Sequence, residues 1–206
     1  STCDIDGNAQ LNEPFLFSSN SSVMPGSTYG LSKKHCNELI KIMNIGGHIS
    51  STVIHLAMHE SFYRSGSYVL TKIKNAVSNF ASGSVLEPLK FGNLNVYIDI
   101  GFAAEFMKIV ACVILNKVTY PELTIGTGVY THLESLCVSI LESYGIPATE
   151  YLVCDKSQNT PLYYPLTPTS CLHHLGEFDE SDISVCPPQP LTAEMLKSEG
   201  SDFLNQ

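Results

Sequence analysis

Tyr29 and Lys33 stand four apart in the run Tyr29-Gly30-Leu31-Ser32-Lys33. On a helix this spacing puts a phenol and an ammonium on one face, a turn apart. An ammonium beside a phenol favours the phenolate, so the pair can pass a proton near neutral pH while the lysine also binds a ribose hydroxyl. Alone, the spacing reads as a solvated helix start. His55 and His59 are also four apart and are followed by Glu60. A zinc-binding H-E-x-x-H helix needs its glutamate next to the first histidine, so the spacing predicts no metal there. Cys171 with His173 and His174 has no second ligand pair at metal spacing and reads as a surface loop. Asn20-Ser21-Ser22 fits the glycosylation pattern but is most simply a polar turn.

These residues need elements to position them. Residues 1–28, rich in Ser, Asn, Gly and Pro, read as loop. Leu31, Cys36, Leu39, Ile40 and Met43 then recur at helical spacing behind the caps Ser27 and Thr28, until Gly46-Gly47 stops them. Residues 51–56 read as a buried strand, and His59, Glu60, Arg64 and Gly66 as a loop. Val69, Leu70, Ile73, Ala76, Val77 and Phe80 predict a second helix. Strands are expected over 86–91, 96–98 and 123–125, with a helix over 103–116 that is apolar on nearly every face and so buried on more than one side. A fourth helix is read over 131–144. Beyond Thr160 the chain reads as irregular cover with a short helix near 193–197.

Composition excludes several classes. The 206 residues carry a formal net charge of -9 with only 11 Lys plus Arg, too few cations for a nucleic-acid or anionic-membrane surface. The apolar run from Ile109 to Leu115 is far shorter than a membrane span. Seven cysteines, an odd number without a C-x-x-C pair, predict reduced thiols in a soluble intracellular protein, most simply a cytoplasmic one. Cys112 and Cys137 fall on apolar helical faces, where cysteine serves as a small hydrophobe.

Several runs are collinear with one known pattern. Ser1-Thr2-Cys3-Asp4-Ile5-Asp6-Gly7 precedes Ser27-Thr28-Tyr29-Gly30-Leu31-Ser32-Lys33. Leu56-Ala57-Met58-His59-Glu60-Ser61-Phe62-Tyr63-Arg64 continues to Lys72-Ile73, Gly92-Asn93-Leu94 to Asp99-Ile100-Gly101, and then comes Gly126-Thr127-Gly128. In this order they resemble the S-T-S-E-x-x-G, S-P-Y-G-x-(S/A)-K, L-F-N-H-E-S-P-R-R-G, G-N-L-D-A-K-R-D-W-G and A-T-G runs of GDP-mannose 4,6-dehydratases. These are extended short-chain dehydrogenases/reductases, and the resemblance is to their carboxyl-terminal half. It implies an α/β fold, the end of a Rossmann-like parallel sheet followed by a small α/β substrate domain. The implied division is a sheet remnant with the Tyr-Lys helix over 1–60, a substrate-domain-like region over 61–160 and irregular cover over 161–206.

The resemblance implies roles residue by residue. Thr2 would polarise the sugar, Asp4 would stand for the proton-removing glutamate, and Tyr29 with Lys33 would serve hydride transfer. Tyr29, Lys33, His59 and Arg64 would face the cofactor, and Glu60 and Lys72 the substrate. There are departures. Asp4 is a methylene short, and a displacement of about 1 Å can cost on the order of a hundredfold in rate. Met58 stands for the family's Asn, and Tyr63, Thr71 and Ile98 stand for arginines, the last facing the diphosphate. Arginine forks grip diphosphates by charge-assisted bonds of roughly 1.5–3 kcal/mol each, which these side chains cannot supply. No G-x-G-x-x-G turn occurs in the 206 residues to cradle a pyrophosphate.

Three expectations follow. The first is a degenerate dehydratase-like domain serving as a structural or interaction subunit, binding no cofactor alone, with a protein partner over the missing Rossmann half or exposed sheet edge in a homo- or hetero-oligomer. The second is one half of a split NADP-dependent dehydratase whose partner chain supplies the dinucleotide half. The third is a non-catalytic sugar-nucleotide sensor.

Overall fold

Thr28 opens a regular element in the computed structural model, which describes residues 28–115, 122–154, 162–163 and 188–204. Helix α1 spans Thr28–Ile45, strand β1 Val53–Leu56, strand β2 Met58–Glu60 and helix α2 Val69–Ala81. Strands β3 (Leu89–Phe91), β4 (Val96–Ile98) and β5 (Ile100–Phe102) lead into helix α3 (Ala103–Leu115). Then come β6 (Glu122–Ile125), β7 (Thr131–His132), α4 (Leu133–Ser143), α5 (Ala148–Tyr151), β8 (Leu152–Cys154), β9 (Leu162–Tyr163) and α6 (Ala193–Leu204).

The strands pair mostly in parallel. β1 lies against β6 from Val53↔Glu122 to Leu56↔Ile125, and β2 against β5 from Met58↔Ile100 to Glu60↔Phe102. Between β1 and β2 only Ala57 intervenes, and its N–H still donates to Ile125 O at 2.9 Å. One extended path therefore changes partner from β6 to β5 at Ala57. α3 connects β5 to β6, which pair in parallel with the second and first parts of that path. β3 pairs with β8 in parallel, while β4 takes β7 antiparallel on one edge and β9 parallel on the other.

Two apolar cores result. In one, Phe106, Ile109 and Val113 of α3 pack on Ala57, Leu123 and Ile125. The other joins α2, α4 and α6 to the small sheets through Ile73, Val77, Ile98, Leu141, Ile146 and Leu196, among others. Each such buried aliphatic side chain contributes about 1.5–3 kcal/mol. The helical periods predicted for α2 and α4 are the stripes that these helices bury: Leu70, Ile73 and Val77 on one, Leu136, Cys137, Ile140 and Leu141 on the other.

The differences from expectation have local causes. His59 and Glu60 form strand β2 rather than loop, because three residues suffice to pair with β5. The strand expected over 86–91 starts at Leu89, and Thr131–His132 leave the fourth helix to pair with β4. The last helix runs to Leu204. α3 buries only one stripe among the described residues, leaving Met107, Ile114 and Leu115 exposed. α1 stops where predicted: Gly47 takes φ 68°, and His48 N–H returns to Met43 O at 3.0 Å. Of α1 only Gly30 is buried. The helix is tied down at its far end, by Lys41 Nζ to Glu122 Oε2 at 3.2 Å and by Asn44, whose side chain meets the Ser51 carbonyl and N–H at 2.9 and 3.1 Å.

Cys112 and Cys137 are buried as expected, and Cys36 is exposed. Burial, with lesser repulsion from Cys154 and Glu134, pushes the Cys137 thiol up to about 12. Only thiolate is nucleophilic. Alkylation at about pH 8 followed by peptide mapping is therefore expected to modify Cys36 within minutes and Cys137 only after denaturant is added. Equal modification of both in the native protein would contradict this packing.

Candidate functional site

The carboxyl end of β2 gathers three of the predicted residues. His59 is half-buried, its Nδ1 2.9 Å from Ala57 O and its ring stacked on Phe106 with centroids 5.3 Å apart. Glu60 is buried, and Arg64 Nη1 donates to its Oε1 at 2.8 Å and to His59 O at 3.2 Å. The Arg64 guanidinium also lies 3.9 Å from the Tyr68 ring centroid. Arg64 is thus a locally paired cation, stacked on one side and neutralised on another.

Residues that the sequence did not single out complete this cluster. Lys74, one α2 turn beyond Leu70, donates from Nζ to Arg64 O. Glu199 of α6 accepts from Ser61 Oγ at 3.0 Å and from Phe62 N–H. A small cavity of about 20 Å³, room for one water, lies among Glu60, Ser61, Phe62, Lys74, Tyr144 and Leu196. No local spacing pairs residue 61 with residue 199. Only the fold brings them together.

Burial sets the protonation here. It raises the Glu60 carboxyl above its ordinary value, opposed by the charges of Arg64 and Lys74, by the Ser61 N–H and by the Arg64 hydrogen bond. Lys74 is lowered by desolvation, with Glu60 and Glu199 pulling it back. A carboxyl with a raised native pKa contributes its stability below the unfolded value and loses it as pH rises through the folded one. The stability of the native protein relative to Glu60→Gln is therefore expected to fall as pH rises from the model-peptide value of 4.5 toward neutrality. Urea titrations at several pH values would show it, and a pH-independent difference would contradict the buried placement of Glu60.

Tyr29 and Lys33 form a separate pair at the start of α1. Lys33 Nζ is 5.5 Å from the Tyr29 ring centroid, and Tyr29 is 54% exposed. Lys72 is exposed on α2, its Nζ 5.4 Å from the Phe91 ring centroid. Thr2 and Asp4 lie outside the described residues. His55 is buried and its Nε2 sits 2.6 Å from Glu122 Oε1, on β1 rather than on a helix with His59. Among the described residues no group of three or more His, Cys, Asp or Glu could hold a metal, and no helix is long and apolar enough to cross a membrane.

A second polar knot lies behind the β-strand ends. Asp99 is 4% exposed; its Oδ1 accepts from Thr127 N–H at 3.0 Å and from Thr127 Oγ1 at 2.6 Å, and its Oδ2 accepts from Gly128 N–H at 3.1 Å. One carboxylate thus joins the turn before β5 to the Gly126-Thr127-Gly128 turn after β6. Of the three positions that stand for family arginines, two are interior, Ile98 at 3% and Thr71 at 4% exposed, and the third, Tyr63, is on the surface. Met58 and Tyr63 are on the surface, at 40% and 55%.

Comparison with known proteins bears on this arrangement. The family model described as GDP-mannose 4,6 dehydratase matches residues 1–159. No curated protein matches by sequence. Among solved structures, the dTDP-glucose 4,6-dehydratase of Bacillus anthracis in complex with NAD superimposes with a TM-score of 0.72 at 15% identity, over 100% of this chain and 60% of that one. RMD from Pseudomonas aeruginosa, complexed with NADPH, gives 0.75 at 14%, over 97% and 64%. The UDP-N-acetylglucosamine 4-epimerase of Methanobrevibacter ruminantium gives 0.71 at 16%, over 100% and 62%. At such identity the likeness is one of fold, a Rossmann-like α/β fold, and this chain spans about 60% of the length of these structures.

Proposed function

This chain belongs to the GDP-mannose 4,6 dehydratase family, and from that premise we propose that it is a catalytically degenerate member, a nucleotide-sugar dehydratase/epimerase-like domain kept as a structural or interaction subunit. The observation that carries the proposal is the burial of Ile98. By the resemblance an arginine there would face the sugar diphosphate. Here an isoleucine closes the core, packed with α4 and α2 side chains. Thr71, at another of the three arginine positions, is equally interior. Two cations of the region are engaged, Arg64 with Glu60 and Lys74 with Arg64 O, and Lys72 is exposed on α2.

NADP fits these residues only in part. Tyr29 and Lys33, mutually placed on α1 with the phenol exposed, suit the nicotinamide-ribose end. The glycine-rich turn that receives a pyrophosphate is not in the 206 residues. Bound there, the cofactor would supply hydride chemistry; the chain's own contribution would be to hold the ribose and a proton at Tyr29. An interaction role is supported by large apolar side chains left exposed on two helices, Leu39, Ile42 and Ile45 on α1 and Ile114 and Leu115 on α3.

The Tyr29–Lys33 pair favours one rival, half of a split NADP-dependent GDP-mannose 4,6-dehydratase completed by a partner chain. Incubating the protein with GDP-mannose and NADP, alone and with any chain that copurifies, separates the two. No 4-keto-6-deoxy product is expected. Product formation, with NADP ordered beside Tyr29 in the complex, would replace the degenerate reading with the split enzyme.

A further inference from the structure

Helix α6 lies beyond residues 1–159, the stretch that the family model matches, yet it reaches into the His59–Arg64 segment. Both oxygens of Glu199 are used: Oε1 takes the Ser61 hydroxyl and Oε2 the Phe62 N–H. The same Ser61 Oγ accepts Tyr63 N–H at 3.1 Å, and Ser61 O accepts Arg64 N–H at 3.2 Å. The turn from Ser61 to Arg64 is thus wound about a serine that Glu199 holds. Beside Glu199, Gly200 lets the helix press on the segment: a Cβ there would stand 2.7 Å from two Phe62 ring carbons and 2.9 Å from Tyr144 Oη. Phe62 is buried under that contact. At its other end the turn is secured by Lys74 Nζ on Arg64 O.

We propose that Glu199 is a positioning residue for the candidate site: it fixes the Ser61–Arg64 turn and so sets where the Arg64 guanidinium meets Glu60. The inference rests on reading His59–Arg64 as the ligand-side edge of a dehydratase-like domain, but not on whether that edge binds anything. The turn is pre-organised by this chain alone. α6 is part of the site's support, not cover lying over it. A carboxylate is the group suited to the place, because it accepts from a hydroxyl and an amide at once through two oxygens, whereas a carboxamide offers one acceptor and presents an N–H₂ to a donor.

Amide hydrogen exchange and side-chain NMR on the 206-residue protein test this without any ligand or partner. In Glu199→Gln the Phe62 amide is expected to exchange roughly tenfold faster and to lose its downfield position, while amides of α4 and β6 keep their rates. The Arg64 Nε–H resonance should shift with it. Ser61→Ala, which removes the hydroxyl link and leaves Glu199 intact, is the second variant, and it should move the Arg64 resonance in the same sense. Unchanged Phe62 exchange, acceleration spread evenly over the whole chain, or an Arg64 resonance unmoved in both variants would overturn the proposal. A catalytically active protein with these local effects would sink only the degenerate reading; an inactive one without them would sink only the role of Glu199.

Discussion

Ile98→Arg, the substitution that would restore the family's arginine, is expected to destabilise the protein by about 4 kcal/mol and to create no affinity for a sugar diphosphate. Ile98 is nearly inaccessible and belongs to the core formed by α2, α4 and α6 around β4. Its strand is hydrogen-bonded to β7 at Ile98↔Thr131, so the backbone cannot easily turn the side chain outward. A guanidinium there displaces aliphatic packing in a cluster of apolar side chains. Marginal stability of about 5–15 kcal/mol leaves the variant close to unfolding at ordinary temperature. Urea denaturation of both proteins measures the effect. A loss below about 1 kcal/mol, with GDP-mannose now bound, would mean that the position opens to the ligand and that the interior placement is wrong.

Asp99→Ala carries the second largest expected effect, a loss of about 3–5 kcal/mol. The carboxylate gathers three donors, two backbone N–H groups and the Thr127 hydroxyl, in a place with almost no solvent. Removing it leaves buried donors without their acceptor, each at about 1–3 kcal/mol. The knot also joins the end of β4 to the turn after β6, which links the two cores. Denaturant midpoints would check it. A cost of less than about 1 kcal/mol would show that water replaces the carboxylate freely.

Much of the fold was legible because helices announce themselves by period. The apolar recurrences over α1, α2, α3 and α4 are the segments that fold as helices, and Gly46-Gly47 ends α1 through one positive φ. Of the short strands, β4 was legible over 96–98 and β3 in part, but others were not. β2, β7 and β8 are two or three residues long, and what makes them strands is a partner far along the chain. Residues 131–132 show the competition: they directly precede the apolar helical run that begins at Leu133, yet pairing with β4 keeps them out of the helix. The site divided the same way. Tyr29 with Lys33, and Glu60 with Arg64, are four apart and do meet. Glu60 and Arg64 do so as an ion pair with a buried carboxylate and a part-exposed guanidinium, where the resemblance alone would assign one to substrate and the other to cofactor. Glu199 on Ser61 and Asp99 on Thr127 are separated by 138 and 28 residues, distances over which spacing carries no signal. The α3 pattern misleads in part, since an apolar face predicts burial but not what buries it.

Ile98 and Thr71 place core packing where the resemblance would put guanidinium groups. Calorimetric titration of GDP-mannose into the purified 206-residue protein tests that most directly. No heat of binding is expected at ligand concentrations up to about 1 mM, a dissociation constant weaker than roughly -4 kcal/mol would give. Saturable binding in the micromolar range, lost on removing Arg64 or Lys72, would contradict it.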